Sequence, residues 1–194
     1  MADISILCHS PRGKLSSKIT AMARLPYPSS YPAGYAPLNV LKLLSLSSAT
    51  FKHWADIGTA QFMKLSIPAP ERELAILLTT AKFGSTYEYT HHVPVSAKFG
   101  ITDQQRDELA RAGVRKNYFA ASNEGRNTAC FSPKETTLLR FVEAVIEGPE
   151  IPQALWDETK AIFSDREIVE LITLQVWLVA TAAVLFVSLT DALQ

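Results

Sequence analysis

Residues 70–100 read PERELAILLTTAKFGSTYEYTHHVPVSAKFG, and the pattern of this stretch decides the fold. Leu74, Leu77, Leu78 and Ala81 recur at i, i+3, i+4 and i+7, one stripe of a helix. Pro70 suits the first turn, where a backbone N–H has no helical partner to lose. Glu71 and Glu73 lie in that same turn, where the helix dipole favours anions. Gly84 breaks the run. Ser85, followed three residues later by Glu88, has the spacing of a capping box and opens a second helix. Gly100 closes it as a C′ glycine. Pro94 frees the Thr90 carbonyl inside this helix and predicts a kink just after His92. The stretch is a central helical hairpin.

Working outward, the flanks are helical as well. Residues 38–46 and 48–65 carry apolar faces, the second including Phe51, Trp54, Ala55, Gly58 and Phe62. Thr102-Asp103-Gln104-Gln105, Ser132-Pro133-Lys134-Glu135 and Ser164-Asp165-Arg166-Glu167 repeat the capping-box signature. No segment alternates with a period of two, so the chain is expected to be all-α. Residues 24–37 hold Pro26, Pro28, Pro32 and Pro37 with Gly34, which makes an irregular arm. Its tyrosines, Tyr27, Tyr31 and Tyr35, either cover a pocket or pack on the surface. Residues 114–131 form a polar loop anchored by Tyr118 and Phe119. Residues 1–22 lack periodicity and are expected to be an N-terminal extension, with one helical domain over 23–194.

Composition narrows the function. Hydrophobic residues make up 47% and charged residues 20%, as in an ordinary globular protein. The formal net charge is zero and no local cluster of Lys and Arg replaces a basic field, which argues against nucleic acid as a partner. Cys8 and Cys130 are too few for a disulfide scaffold, and residues 1–10 show no secretory signal, so a cytoplasmic setting is expected. Residues 172–189 carry no charge over a length at the lower edge of a membrane span. Thr173, Gln175, Thr181 and Ser188 interrupt the run, and its flanks are mostly acidic. A core or subunit-interface helix fits better than a membrane anchor.

Three residues carry candidate chemistry. His92 titrates near neutrality without much tuning, which suits a general acid/base. Glu88 sits four residues before it on the same helical face, and Glu73 lies on the preceding helix. Each also has a plain structural explanation. Glu88 caps a helix, Glu73 complements a dipole or pairs with Arg72 or Lys82, and His92 is a hydrogen-bonded core histidine. His91 and His92 are adjacent and diverge by about 100° on a helix, which argues against a two-histidine metal site. Phosphate-binding glycine loops and a nucleophile elbow are absent, so no cofactor is implied.

Arg72-Glu73-Leu74-Ala75-Ile76-Leu77, Tyr87-Glu88-Tyr89 and His92-Val93-Pro94 together resemble the carboxymuconolactone decarboxylase family, which has the alkylhydroperoxidase-D-like helical fold. The likeness extends over about residues 22–190. Peroxidase members of that superfamily carry Cys-x-x-Cys, with a histidine four residues after the second cysteine. Here those positions are Ser85 and Glu88, so both redox sulfurs are missing.

The resemblance implies a cofactor-independent lyase or isomerase acting on a small, hydrophobic carbonyl, lactone or keto-acid metabolite. In that reading His92 is the acid/base, Glu88 orients the imidazole, and Glu73 is a second proton carrier. Ser85, Tyr89, Asn39 and Trp54 bind substrate, with no metal. For Asn39 a local turn, and for Trp54 helix packing, are the plain alternatives. The resemblance also implies a homo-oligomer. A peroxidase-like antioxidant protein, through Cys130 or Cys8, and a non-catalytic helical scaffold are the other readings.

Overall fold

The structure is a computed structural model that describes residues 24–119, 128–148 and 150–188. The expected extension over 1–22, and Cys8 within it, lie outside the described residues. Among the described residues the chain is all-helical, with eight α-helices, one 3₁₀ turn and no strand. It divides into two compact units, Met1–Lys64 with Ala180–Gln194, and Leu65–Val179.

In the first unit the proline-rich arm, from Arg24 to Pro37, is irregular. It leads into α1 (Asn39–Leu44) and α2 (Ser48–Met63). Leu44, Phe51 and Ala55 form a small core, and Trp54 packs against it half-buried. Tyr31 and Tyr35 meet the Phe51 ring edge-on, at centroid distances of 6.0 and 4.9 Å. The Tyr31 hydroxyl donates to the Ala36 carbonyl. These tyrosines therefore secure the arm by aromatic packing.

The second unit is built around α3 (Ala69–Lys82). Periodicity predicts one buried stripe. The structure instead buries every residue from Glu73 to Thr80, because α4 (Thr86–Lys98), α5 (Asp103–Gly113) and α6 (Pro133–Glu147) all pack on α3. Leu74, Ile76, Leu77 and Leu78 are fully buried. Together they contribute roughly 6–12 kcal/mol of apolar burial before the cost of ordering the chain. The close approach of α5 depends on Gly113, where a Cβ would lie 2.7 Å from the Ala81 carbonyl oxygen. Then α7 (Gln153–Ile162) packs on α6.

The last helix, α8 (Asp165–Ser188), is long and apolar enough to cross a membrane by length and composition. It is not buried all round in the way a fully enclosed core helix is. Leu171, Leu174 and Leu178 are buried, whereas Val169 and Val176 are exposed.

The junctions explain why the helices start and stop where they do. Thr102, Ser132 and Ser164 each form the reciprocal capping box expected of them. Ser85 does not. Helix α3 ends on a Schellman motif: Gly84 takes a left-handed φ of 72°, its N–H bonds the Ala81 carbonyl, and the Ser85 N–H bonds the Thr80 carbonyl at 2.8 Å. The Ser85 N–H that Glu88 would have accepted in a box is thus already used. The Glu88 side chain therefore closes no capping box with Ser85.

Candidate active site around Glu73, Glu88 and His92

Burial of α3 on all sides places a carboxylate where solvent does not reach. Glu73 is fully buried, and its two oxygens are held separately. Oε1 accepts from the Arg72 guanidinium, at 3.3 Å from Nε and 3.2 Å from the terminal nitrogen. Oε2 lies 2.8 Å from His92 Nδ1 across the α3–α4 interface. As a carboxylate Glu73 only accepts, so the imidazole donates from Nδ1. This fixes the tautomer. His92 is itself buried.

The expectation that Glu88 orients the imidazole is therefore not what the geometry shows. The carboxylate on Nδ1 belongs to Glu73, one helix away, and not to the residue four positions earlier. Glu88 turns to the start of its own helix, where the Ser85 hydroxyl donates to Oε2. Its other oxygen, Oε1, is buried and has no hydrogen-bond partner. Leaving a buried polar atom unsatisfied costs about 1–3 kcal/mol. Burial is also the main cause that pushes the Glu88 carboxyl up to about 7, its own backbone N–H offsetting a smaller part. A carboxyl with that value is half protonated at neutral pH, the condition under which an acid both donates and recovers a proton efficiently.

A second buried carboxylate shows what a satisfied one looks like. Glu143 on α6 accepts from the backbone N–H groups of Tyr118 and Phe119 at 2.8 and 2.7 Å. It also pairs with buried Lys82 at 2.5 Å. Lys82 reaches Glu147 as well, and Glu147 accepts from the Asn117 N–H. Lys82, a possible partner of Glu73 by sequence, thus serves this other cluster, and Arg72 is the partner Glu73 has. The Lys82 cluster pins the polar loop after α5, with Tyr118 and Phe119 buried as its anchors.

The remaining expected site residues fall in different places. The Ser85 hydroxyl proton is committed to Glu88. The Tyr89 hydroxyl donates to the Arg106 carbonyl at 2.7 Å and ties α4 to α5. Asn39 opens α1 and Trp54 lies on α2, both in the first unit. The contacts of Trp54 are those of helix packing, and the adjacent His53 is exposed. His91 turns away from His92 and bonds the Tyr87 carbonyl through Nδ1 at 2.8 Å. Among the described residues no group of three His, Cys, Asp or Glu side chains is arranged to hold a metal ion. Cys130 sits in the 3₁₀ turn Thr128–Cys130, and burial pushes its thiol up, away from the thiolate a peroxidase needs.

Buried on adjacent helices are an imidazole in a fixed tautomer, a carboxylate that fixes it, and a separate carboxyl pushed up to about 7, groups of the kind that exchange protons. Comparison with protein-family models and with curated proteins found no match.

Proposed function

We propose that the chain is a cofactor-independent lyase or isomerase of the carboxymuconolactone decarboxylase type, with the alkylhydroperoxidase-D-like fold, acting on a small activated carbonyl compound, lactone or keto acid. The observation that carries this reading is the buried contact between His92 Nδ1 and Glu73 Oε2 at 2.8 Å, with Glu88 one turn before His92.

His92 is the general acid/base. In isomerisation or dehydration its Nε2 removes a proton α to the carbonyl. In decarboxylation it delivers a proton to the carbanion left when carbon dioxide departs. Glu73 is a positioning residue: it holds the tautomer, stabilises the imidazolium that forms, and is itself neutralised by Arg72. The absence of both motif sulfurs and the raised thiol of Cys130 favour this chemistry over a peroxidase. The apolar residues that α8 leaves exposed, Val169 and Val176, favour a homo-oligomer.

The test is turnover of a panel of lactones, β-keto acids and α,β-unsaturated ketones by wild type and His92→Ala, with folding followed by circular dichroism. Wild type converts at least one member, and folded His92→Ala loses at least the roughly hundredfold that a general acid/base supplies. Equal rates for the two proteins remove His92 from the chemistry, and turnover by neither favours the scaffold reading.

A further inference from the structure

We propose that Glu88 acts as a neutral carboxylic acid that donates from Oε1 to the carbonyl oxygen of an uncharged substrate, a ketone or a lactone, while the Ser85 hydroxyl holds Oε2. This assignment rests on the acid/base reading of His92 and adds to it a second proton-transfer group and a preference of the site for neutral over anionic ligands.

Three observations carry it. Glu88 is nine-tenths buried, and Oε1 is the oxygen with no hydrogen-bond partner. The Ser85 hydroxyl donates to Oε2, so the proton of the neutral acid belongs on Oε1. Glu88 does not close a capping box, since the Ser85 N–H already bonds the Thr80 carbonyl. A buried carboxyl with one oxygen fixed and the other unsatisfied is completed by an acceptor, and a carbonyl oxygen is such an acceptor. A carboxylate ligand would instead meet a second carboxyl in a buried site.

The proton balance is closed within the chain. His92 Nε2 takes the α-proton, breaking C–H and forming N–H. The electron pair moves through the carbonyl, and Glu88 transfers its Oε1 proton to the oxygen, giving the enol, the Glu88 carboxylate and the imidazolium. Return of a proton from His92 to carbon and of the enol proton to Glu88 restores both groups. In this sequence the oxygen never carries a full charge in a buried site.

The charged and titratable groups at this interface include Arg72 and Glu73 from α3, His91, His92 and Tyr89 from α4, and, from α5, Asp107 and Arg106, which act on Tyr89. Two of these, His91 and His92, are imidazoles, the side chain whose charge changes nearest neutrality. The test therefore varies Glu88 and both histidines. Calorimetry measures binding of 2-cyclohexenone, δ-valerolactone and, as the anionic counterpart, cyclohexanecarboxylate to the whole chain at pH 6 and pH 8. Wild type binds a neutral probe about tenfold more tightly at pH 6 than at pH 8, following the protonated fraction of Glu88. Glu88→Gln loses that contrast, because its amide donates at both values. His91→Gln and His92→Gln each keep it. On wild type alone, the infrared carbonyl stretch of bound 2-cyclohexenone is lowered at pH 6 and relaxes at pH 8. This measurement decides the matter if Glu88→Gln does not fold.

Binding of neither neutral probe overturns the proposal, as does a contrast that survives Glu88→Gln, or one that disappears in His91→Gln or His92→Gln. The outcome is separable from the fate of the lyase reading. Turnover that depends on His92 but not on Glu88 sinks this proposal alone. A pH-dependent ketone site without turnover sinks the lyase reading and leaves the Glu88 donor standing.

Discussion

The chain contains the same helix stop twice. Lys82-Phe83-Gly84 ends α3 and Lys98-Phe99-Gly100 ends α4. Both glycines take a left-handed backbone, with φ of 72° and 87°. Both close a Schellman motif, through Ser85 N–H to the Thr80 carbonyl and Ile101 N–H to the Ser96 carbonyl. The difference is one residue. After Gly100, Ile101 completes the stop and buries its side chain, and Thr102 is left to start α5 with a full capping box. After Gly84, Ser85 must both complete the stop and start α4. One N–H cannot serve the Thr80 carbonyl and the Glu88 carboxylate together. The box is lost, and the carboxylate that would have capped a helix is left buried with an unpartnered oxygen. Shortening a connection by a single residue thus denies Glu88 the N–H that a capping box would give it.

The two junctions should respond differently to the same kinds of change. The largest difference is expected in pH dependence. The folded-state value of Glu88 is raised, so its neutral form is favoured by folding. Its contribution is fully present below the ordinary carboxyl value of 4.5 and is lost as the pH rises through about 7. Glu88→Gln, which cannot ionise, should therefore be more stable than wild type at pH 8, by about 3 kcal/mol, and nearly equal to it at pH 4. Urea unfolding at the two pH values measures this. A gain that is the same at both would mean that Glu88 is not the group that titrates. Gln105, at the corresponding place after Thr102, carries no charge, so Gln105→Ala should show no such pH dependence.

Next in size are the glycines. Gly84→Ala and Gly100→Ala each force a Cβ into the left-handed region, at about 1–2 kcal/mol, although neither Cβ would meet a neighbouring atom. Equal losses in thermal or urea unfolding would confirm that the two stops are equivalent. A much larger loss at Gly84 would show that the site itself depends on the stop. The smallest contrast lies in the caps. Thr102→Ala removes a cap that forms, at about 1 kcal/mol. Ser85→Ala removes no cap and should cost less in stability, while its effect on ligand binding at Glu88 should exceed that of Thr102→Ala. Stability and ketone affinity measured on the same two variants give both halves of the comparison.

Much of this molecule was legible in the sequence, for local reasons. Helix boundaries followed from glycines, prolines and Ser/Thr-x-x-Glu/Gln spacings. The expected stops at Gly84 and Gly100 are where α3 and α4 end, to within two residues. The arm over residues 24–37, the buried anchors Tyr118 and Phe119, and the packing role of Trp54 were readable from composition and periodicity. Spacing also singled out Glu73, Glu88 and His92, which the structure buries beside one another on α3 and α4. What it misassigned was the pairing. Four residues apart on a helix is a real proximity, and it made Glu88 the natural partner of His92. The capping spacing made it the natural cap of α4. Neither holds.

The sequence by itself determined where the helices lie, because stops, caps and first-turn residues act through bonds within a few residues of one another. It also determined which ionisable side chains α3 and α4 carry. Only the tertiary structure decided what those side chains do. Packing α4, α5 and α6 around α3 buried Glu73 on every side and set it against His92 and Arg72. The same packing sent Lys82 to Glu143 and Glu147. The division has a physical reason. A hydrogen bond along the backbone is fixed by sequence separation, whereas the partner of a buried charge is whichever opposite group the packed helices bring within reach.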